Sequence, residues 1–221
     1  MNLASAAEAF LLSFVLVTPF AAFLRPRPLS FAAGATLVAL GALLVEFLVQ
    51  SALSPLYATA VVLVLVAPPT EELLKFTTSG LTGANLGSAS GAGIGFAATE
   101  NALYFLAAWG EPTASLAALI AVRAVTDPLL HSTATTLTTL SWHGRTWGLP
   151  AGLSLHMLWN SLALVELSLD PGPGLALLGI ASIALLGLLW LLRRSPDVRD
   201  ALADRWRMNP WTGRSFEVTV G

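Results

Sequence analysis

The sequence predicts an all-α, polytopic transmembrane helical bundle of about seven to eight spans, and three observations predict it. Only 11% of the 221 residues are charged while 55% are hydrophobic, with a mean hydropathy of +0.73. A soluble domain carries about a quarter charged residues. Seven apolar stretches each approach or exceed the roughly 20 residues a helix needs to cross the hydrocarbon. The basic residues gather in alternate connections, as they do when loops face two compartments.

Taken in order, Ala6–Leu24 has no basic residues ahead of it and Arg25 and Arg27 behind it, so it reads as a retained helix rather than a cleaved signal. Ser30–Gln50 follows the breaker Arg25-Pro26-Arg27-Pro28. Leu56–Thr78 contains Pro68-Pro69, which remove two backbone donors and predict a break or kink. Thr70 would then cap a new helix with Glu71 and Glu72 in its first turn. Beyond Gly80 to Gly87 comes Ser88–Trp109, where Gly87, Gly91 and Gly95 at four-residue spacing predict close helix packing rather than a phosphate loop. Gly110-Glu111-Pro112 leads into Thr113–Ser141, His143-Gly144-Arg145 into Trp147–Leu167, and Pro171-Gly172-Pro173 into Gly174–Leu192. His143 reads as a loop residue.

Arg25, Arg27, Arg145 and every arginine from Arg193 to Arg214 follow odd-numbered spans, Lys75 lies near the end of the third, and the loops after spans two, four and six carry no Lys or Arg. Only Arg123 departs. The basic side is expected to be the cytoplasm, which places the N-terminus outside and the C-terminus inside. There are no cysteines, which excludes disulfides, a cysteine nucleophile and cysteine-linked lipid anchors.

An ionisable side chain inside a span costs several kcal/mol and is a functional hypothesis by default. Glu71, Glu72 and Lys75 fall in the third span, Glu100 and Asn101 in the fourth, Arg123, Asp127 and His131 in the fifth, and His156 and Asn160 in the sixth. Glu71, Glu100, His131 and His156 all lie roughly ten residues from the cytoplasmic end, about 15 Å deep at helical rise. Accidental polar residues would scatter in depth; a shared site would not. His156 and Asn160 are four apart and share a helix face, and Arg123, Asp127 and His131 form a stripe at the same interval. Asp127 can therefore neutralise Arg123 and orient His131, and Lys75 can pair with Glu71 or Glu72. Bland readings stand beside these: Lys75 with a glutamate and Arg123 with Asp127 as structural ion pairs, and Asn101 and Asn160 as interhelical hydrogen-bond glue.

A buried carboxylate, two imidazoles and a carboxamide form a set for activating water. The glutamate is a competent general base, a histidine can orient water or protonate the leaving amine, and Asn160 can donate to a tetrahedral oxyanion. Adjacent helical residues point about 100° apart, so only one of Glu71 and Glu72 can face the water; Glu71 is the preferred base with Glu72 its partner. There is no His-Glu-x-x-His zinc motif and no pair of intramembrane aspartates, and Ser88-Ala89-Ser90-Gly91 lacks the leading glycine of a rhomboid serine motif.

Four segments in order, Glu71-Glu72-Leu73-Leu74-Lys75, Glu100-Asn101-Ala102-Leu103-Tyr104, His131 and His156-Met157-Leu158-Trp159-Asn160, resemble the PrsW proteases, relatives of the CAAX prenyl endopeptidases and bacterial abortive-infection proteins. The likeness covers roughly Pro68 to Ser161. The prenyl endopeptidases carry arginine one position later than Lys75, which favours the PrsW branch. The resemblance implies a glutamate-dependent bundle with Glu71 and Glu72 as the water-activating pair, His131 and His156 completing the site and Asn160 at the oxyanion position. It also implies a membrane-spanning substrate such as an anti-sigma factor.

The expectation is therefore an intramembrane endopeptidase in the cell membrane. Its protease domain would occupy residues 1–193 and a cytoplasmic polar tail residues 194–221. Its partners would be a membrane-embedded protein substrate and the lipid bilayer, not nucleic acid. Metal-free catalysis with no cofactor ranks first, because no helix presents paired histidines. Zinc held by a glutamate and the two histidines is the alternative. A rival from another class is a non-enzymatic transporter or proton or cation pathway relaying through Glu71, Glu100, His131 and His156.

Overall fold

Helices stand at all seven expected positions in the computed structural model, which describes residues 3–53, 59–110, 112–166, 171–203, 206–208 and 215–217. Leu56 and Leu167, the expected limits of the third and sixth spans, lie outside those residues, as do Glu111 and much of the tail. The first span is α1 (Leu3–Leu16) followed directly by α2 (Thr18–Leu24). The second is α3 (Pro28–Ala33), a wide π-turn at Gly34–Val38 and α4 (Ala39–Ala52). Residues 59–81 are helical through a second π-turn, Val62–Val66, into α5 (Ala67–Leu81). Then come α6 (Leu86–Ala107), α7 (Thr113–Thr139) with a 3-10 turn at Leu140–His143, α8 (Gly148–Glu166) and α9 (Pro171–Arg194). The tail adds α10 (Pro196–Ala203) and a ribbon of β1 (Trp206–Met208) against β2 (Ser215–Glu217), with Arg207 opposite Phe216.

Two local expectations are corrected. Pro68-Pro69 do not break the third span; they sit in the first turn of α5, whose N-cap is Val66 rather than Thr70. The missing proline donors are accommodated by the π-turn before them, where the Ala67 N–H reaches back five residues to the Val62 carbonyl. Glu71 and Glu72 therefore lie one turn deeper in the helix than a Thr70 cap would place them. Pro171-Gly172-Pro173 are likewise not a loop but the start of α9, because prolines fit a first turn whose N–H groups have no partner anyway.

Helix α6 is the axis of the bundle. It is buried without interruption from Ser88 to Ala98, and it packs against α1, α3, α5 and α7. Its small residues make that possible: a Cβ on Gly91 would lie 2.7 Å from the Ser30 Cβ, and one on Gly95 would meet the Phe31 carbonyl oxygen. Hydroxyls bond across the same seams, from Ser13 to the Ala98 carbonyl at 2.5 Å and from Thr99 to the Ala35 carbonyl at 2.7 Å. Helix α7 carries its own buried hydroxyls, and Thr133, Thr136 and Thr139 bond carbonyls one turn back.

Among the described residues, three helical segments, Ala4–Leu24, Pro28–Ala52 and Ala176–Arg194, are long and apolar enough by themselves to cross a membrane. They expose residues such as Leu37, Phe47 and Ile183. The helices that bear Glu71, Glu100, His131 and His156, α5 to α8, pack against one another at the centre. Polar atoms are thus placed where protein, not hydrocarbon, surrounds them.

Candidate functional site

Helices α5, α6, α7 and α8 bring Glu71, Glu72, Glu100, His131 and His156 into one buried cluster. Glu71 Oε2 lies 3.8 Å from His131 Nδ1 and 3.8 Å from His156 Nε2. The two imidazoles stand edge to face with ring centres 5.0 Å apart. Close approach of α6 and α7 underlies this, since a Cβ on Gly93 would sit 2.6 Å from the His131 carbonyl oxygen.

Each imidazole is held from behind by a carboxylate. His156 Nδ1 lies 2.9 Å from Glu72 Oε1, and His131 Nε2 lies 2.8 Å from Glu100 Oε2. A carboxylate only accepts, so those nitrogens carry the protons, and the lone pairs are on His156 Nε2 and His131 Nδ1. Both lone pairs therefore turn towards Glu71 Oε2. Three acceptors converge on one region, and the donor atoms of the triad lie within 4.8 Å of one another.

Lys75 is the cation of this cluster. Its fully buried ammonium lies 2.6 Å from Glu72 Oε1, 2.7 Å from His131 Nδ1 and 3.4 Å from Glu71 Oε2. It pairs with both glutamates rather than one, and it sits 4.5 Å from the Phe96 ring centre. Glu72 Oε2 is buried with no hydrogen-bond partner among the described residues.

The stripe on α7 behaves differently from its spacing. Asp127 pairs with Arg123 as expected, but Glu100, not Asp127, orients His131. Arg123 draws Asp127 to itself and also reaches Glu100 Oε1 at 3.1 Å, while its guanidinium lies 3.5 Å from the Tyr104 ring centre. Asn101 completes this group by accepting from Arg123 Nε at 3.0 Å, so it is interhelical glue. His143 ends the 3-10 turn and donates from Nε2 to the Ala84 carbonyl at 2.6 Å, tying two loops together.

A cavity of about 250 Å³ opens onto Glu71, Glu100, Asp127, His131, His156 and Asn160. Glu72 and Lys75 are not among its lining residues; they stand behind the wall. Asn160 faces the cavity, yet its Nδ2 donates to the Leu63 carbonyl at 2.8 Å. A second cavity of about 200 Å³ adjoins it, sharing Glu46, Glu71, Glu100 and Tyr104. Glu46 is a residue that sequence reasoning passed over. The signal was present, an acid inside the otherwise apolar α4, and it is the same signal that singled out Glu100.

The arrangement can hold and polarise a water molecule between a carboxylate and two imidazoles. With the Lys75 ammonium withdrawn from His131 Nδ1, Glu71, His131 and His156 could also hold a divalent metal, a donor set of the kind seen in His2Glu zinc hydrolases, with each histidine braced by a carboxylate as metal-bound histidines are. No curated protein and no solved structure matches the chain. The model of the PrsW family intramembrane metalloproteases matches residues 26–190, three quarters of the sequence, and the chain therefore belongs to that family of membrane-embedded peptide hydrolases.

Proposed function

We propose that the protein hydrolyses a peptide bond of a membrane-spanning protein at the Glu71–His131–His156 centre. The substrate class carried by the family resemblance is a regulator such as an anti-sigma factor. The observation that carries the reading is the convergence of Glu71 Oε2 with the two imidazole lone pairs on the wall of a cavity. Lys75 already donates to two of these acceptors, His131 Nδ1 and Glu71 Oε2, and a reacting water on the cavity side would bridge Glu71 Oε2 and His156 Nε2, which face each other at 3.8 Å.

Glu71 Oε2 is the oxygen turned to the imidazoles, which leaves Oε1 to take the proton of the attacking water. The water oxygen bonds the carbonyl carbon, Glu71 passes the proton to the departing nitrogen, and the C–N bond breaks. Glu72 and Glu100 keep His156 and His131 in their tautomers and orientations. A zinc-like ion held by Glu71, His131 and His156 would supply Lewis-acid polarisation and a more acidic bound water.

The test is cleavage of candidate single-span proteins in reconstituted vesicles, with proton and cation flux recorded in the same vesicles. Cleavage by the wild type that is lost in Glu71→Gln is the expected result. Flux that depends on Glu71 and His156, with no peptide cut, would replace the protease reading with a conduit.

A further inference from the structure

The Leu63 carbonyl lies where a helix should offer it a donor and the sequence withholds one. In the π-turn Val62–Val66 the Ala67 N–H bonds the Val62 carbonyl. That removes Ala67 as the α-register donor for Leu63. The next donor in the π register is residue 68, a proline with no N–H. Asn160, arriving from α8, fills the gap: its Nδ2 donates to the Leu63 oxygen at 2.8 Å.

We propose that Asn160 is a positioning residue that substitutes for the N–H missing at Pro68, fastening the turn that leads into Glu71 onto the helix that carries His156. Leu63, Ala67, Glu71, His156 and Asn160 all line the same cavity. Ala67 and Glu71 are one helical turn apart on one face. The direction in which the π-turn delivers α5 therefore sets where the Glu71 carboxylate stands relative to the His156 imidazole, four residues before Asn160 on α8. An oxyanion donor would act on the reacting carbonyl; here the carboxamide acts on a backbone carbonyl and through it on the general base. The inference rests on Glu71 and His156 being the reacting centre.

The experiment is a double-mutant cycle with full-length protein in vesicles, reading kcat, KM and the melting temperature. Asn160→Ala should lower kcat at least tenfold with KM little changed, and lower the melting temperature by roughly 2–8 °C, the scale for an orphaned buried carbonyl in a chain of this size. Pro68→Ala restores a backbone donor next to Leu63. Added to Asn160→Ala, it should return kcat to within about threefold of Pro68→Ala alone and recover most of the melting temperature. Pro69→Ala, whose N–H falls beyond Leu63 in either register, should rescue nothing.

If Asn160→Ala costs the same factor with or without Pro68, the carboxamide acts on the substrate and the positioning role is overturned. Should Pro68→Ala fail to accumulate, Asn160→Asp decides: it keeps the shape and removes the donor. A lowered melting temperature with lost kcat supports the proposal, and an unchanged melting temperature with lost kcat overturns it. Glu71→Gln in the same assay tests the centre itself, and the melting data stand whether or not that variant is inactive.

Discussion

Glu72 Oε1 and His156 Nδ1 lie 2.9 Å apart across two helices, so one of the two adjacent glutamates serves the imidazole rather than the cavity. The pair Glu71-Glu72 is thereby divided by geometry: Glu71 lines both cavities, and Glu72 is wholly buried against His156 and Lys75.

From that division follow unequal variants. Glu71→Gln should leave the folded amount unchanged and lower kcat by roughly 10²–10⁴-fold, the contribution of a general base. Glu72→Gln removes one partner of a buried ion pair and should lower stability by about 3 kcal/mol as well as activity. Activity assays beside thermal melts in detergent measure both. Wild-type cleavage by both variants would remove the glutamates from the mechanism.

Metal analysis provides the second test. Purified protein should contain about one equivalent of zinc or a similar divalent ion, with activity lost on chelation and restored on re-addition. His131→Ala and His156→Ala should abolish binding, and Glu100→Gln should weaken it by roughly 10–100-fold through the loosened imidazole. Full activity in metal-free protein would leave Glu71 and the histidines acting on water alone.

Gly93 gives a packing test. Gly93→Ala places a methyl against the His131 carbonyl oxygen and must push α6 from α7. A destabilisation of about 1–3 kcal/mol is expected, with reduced kcat because His131 moves with its backbone. Gly187→Ala is the control, since a Cβ there meets nothing within 4 Å. Melts and turnover of the two variants decide.

Orientation is the last prediction. We expect a reporter after Gly221 to lie in the cytoplasm and one at the N-terminus to lie outside, because the basic residues other than Arg123 lie after, or at the end of, the odd-numbered spans of the sequence. Two tags on one side would mean an even number of crossings.

Helix number and approximate extent were legible because an apolar run of about 20 residues has few alternatives. The ionisable residues were legible for the same reason in reverse: a Glu or His in such a run stands out, and the structure brings Glu71, Glu100, His131 and His156 together. Relations between helices were less legible. Spacing places Asp127 and His131 on one face of α7, but which carboxylate reaches the imidazole depends on α6, which supplies Glu100. The π-turn before Pro68 also escaped the pattern, because two prolines announce lost donors without saying whether the chain bends or widens to absorb the loss. With it went the partner of Asn160, a backbone carbonyl that no side-chain motif records.

Lys75 has a consequence for how such a protein comes into being. Two neighbouring acids and two imidazoles drawn together inside a bilayer would repel one another, yet an ammonium tethered to the same helix touches Glu71, Glu72 and His131 at once. The centre therefore carries its own counter-charge from the moment its helices meet. Small zinc domains depend on the ion to fold at all; a centre that brings its own ammonium needs no ion to balance its acids while it packs, so an ion held by Glu71, His131 and His156 would be taken up by a bundle already assembled.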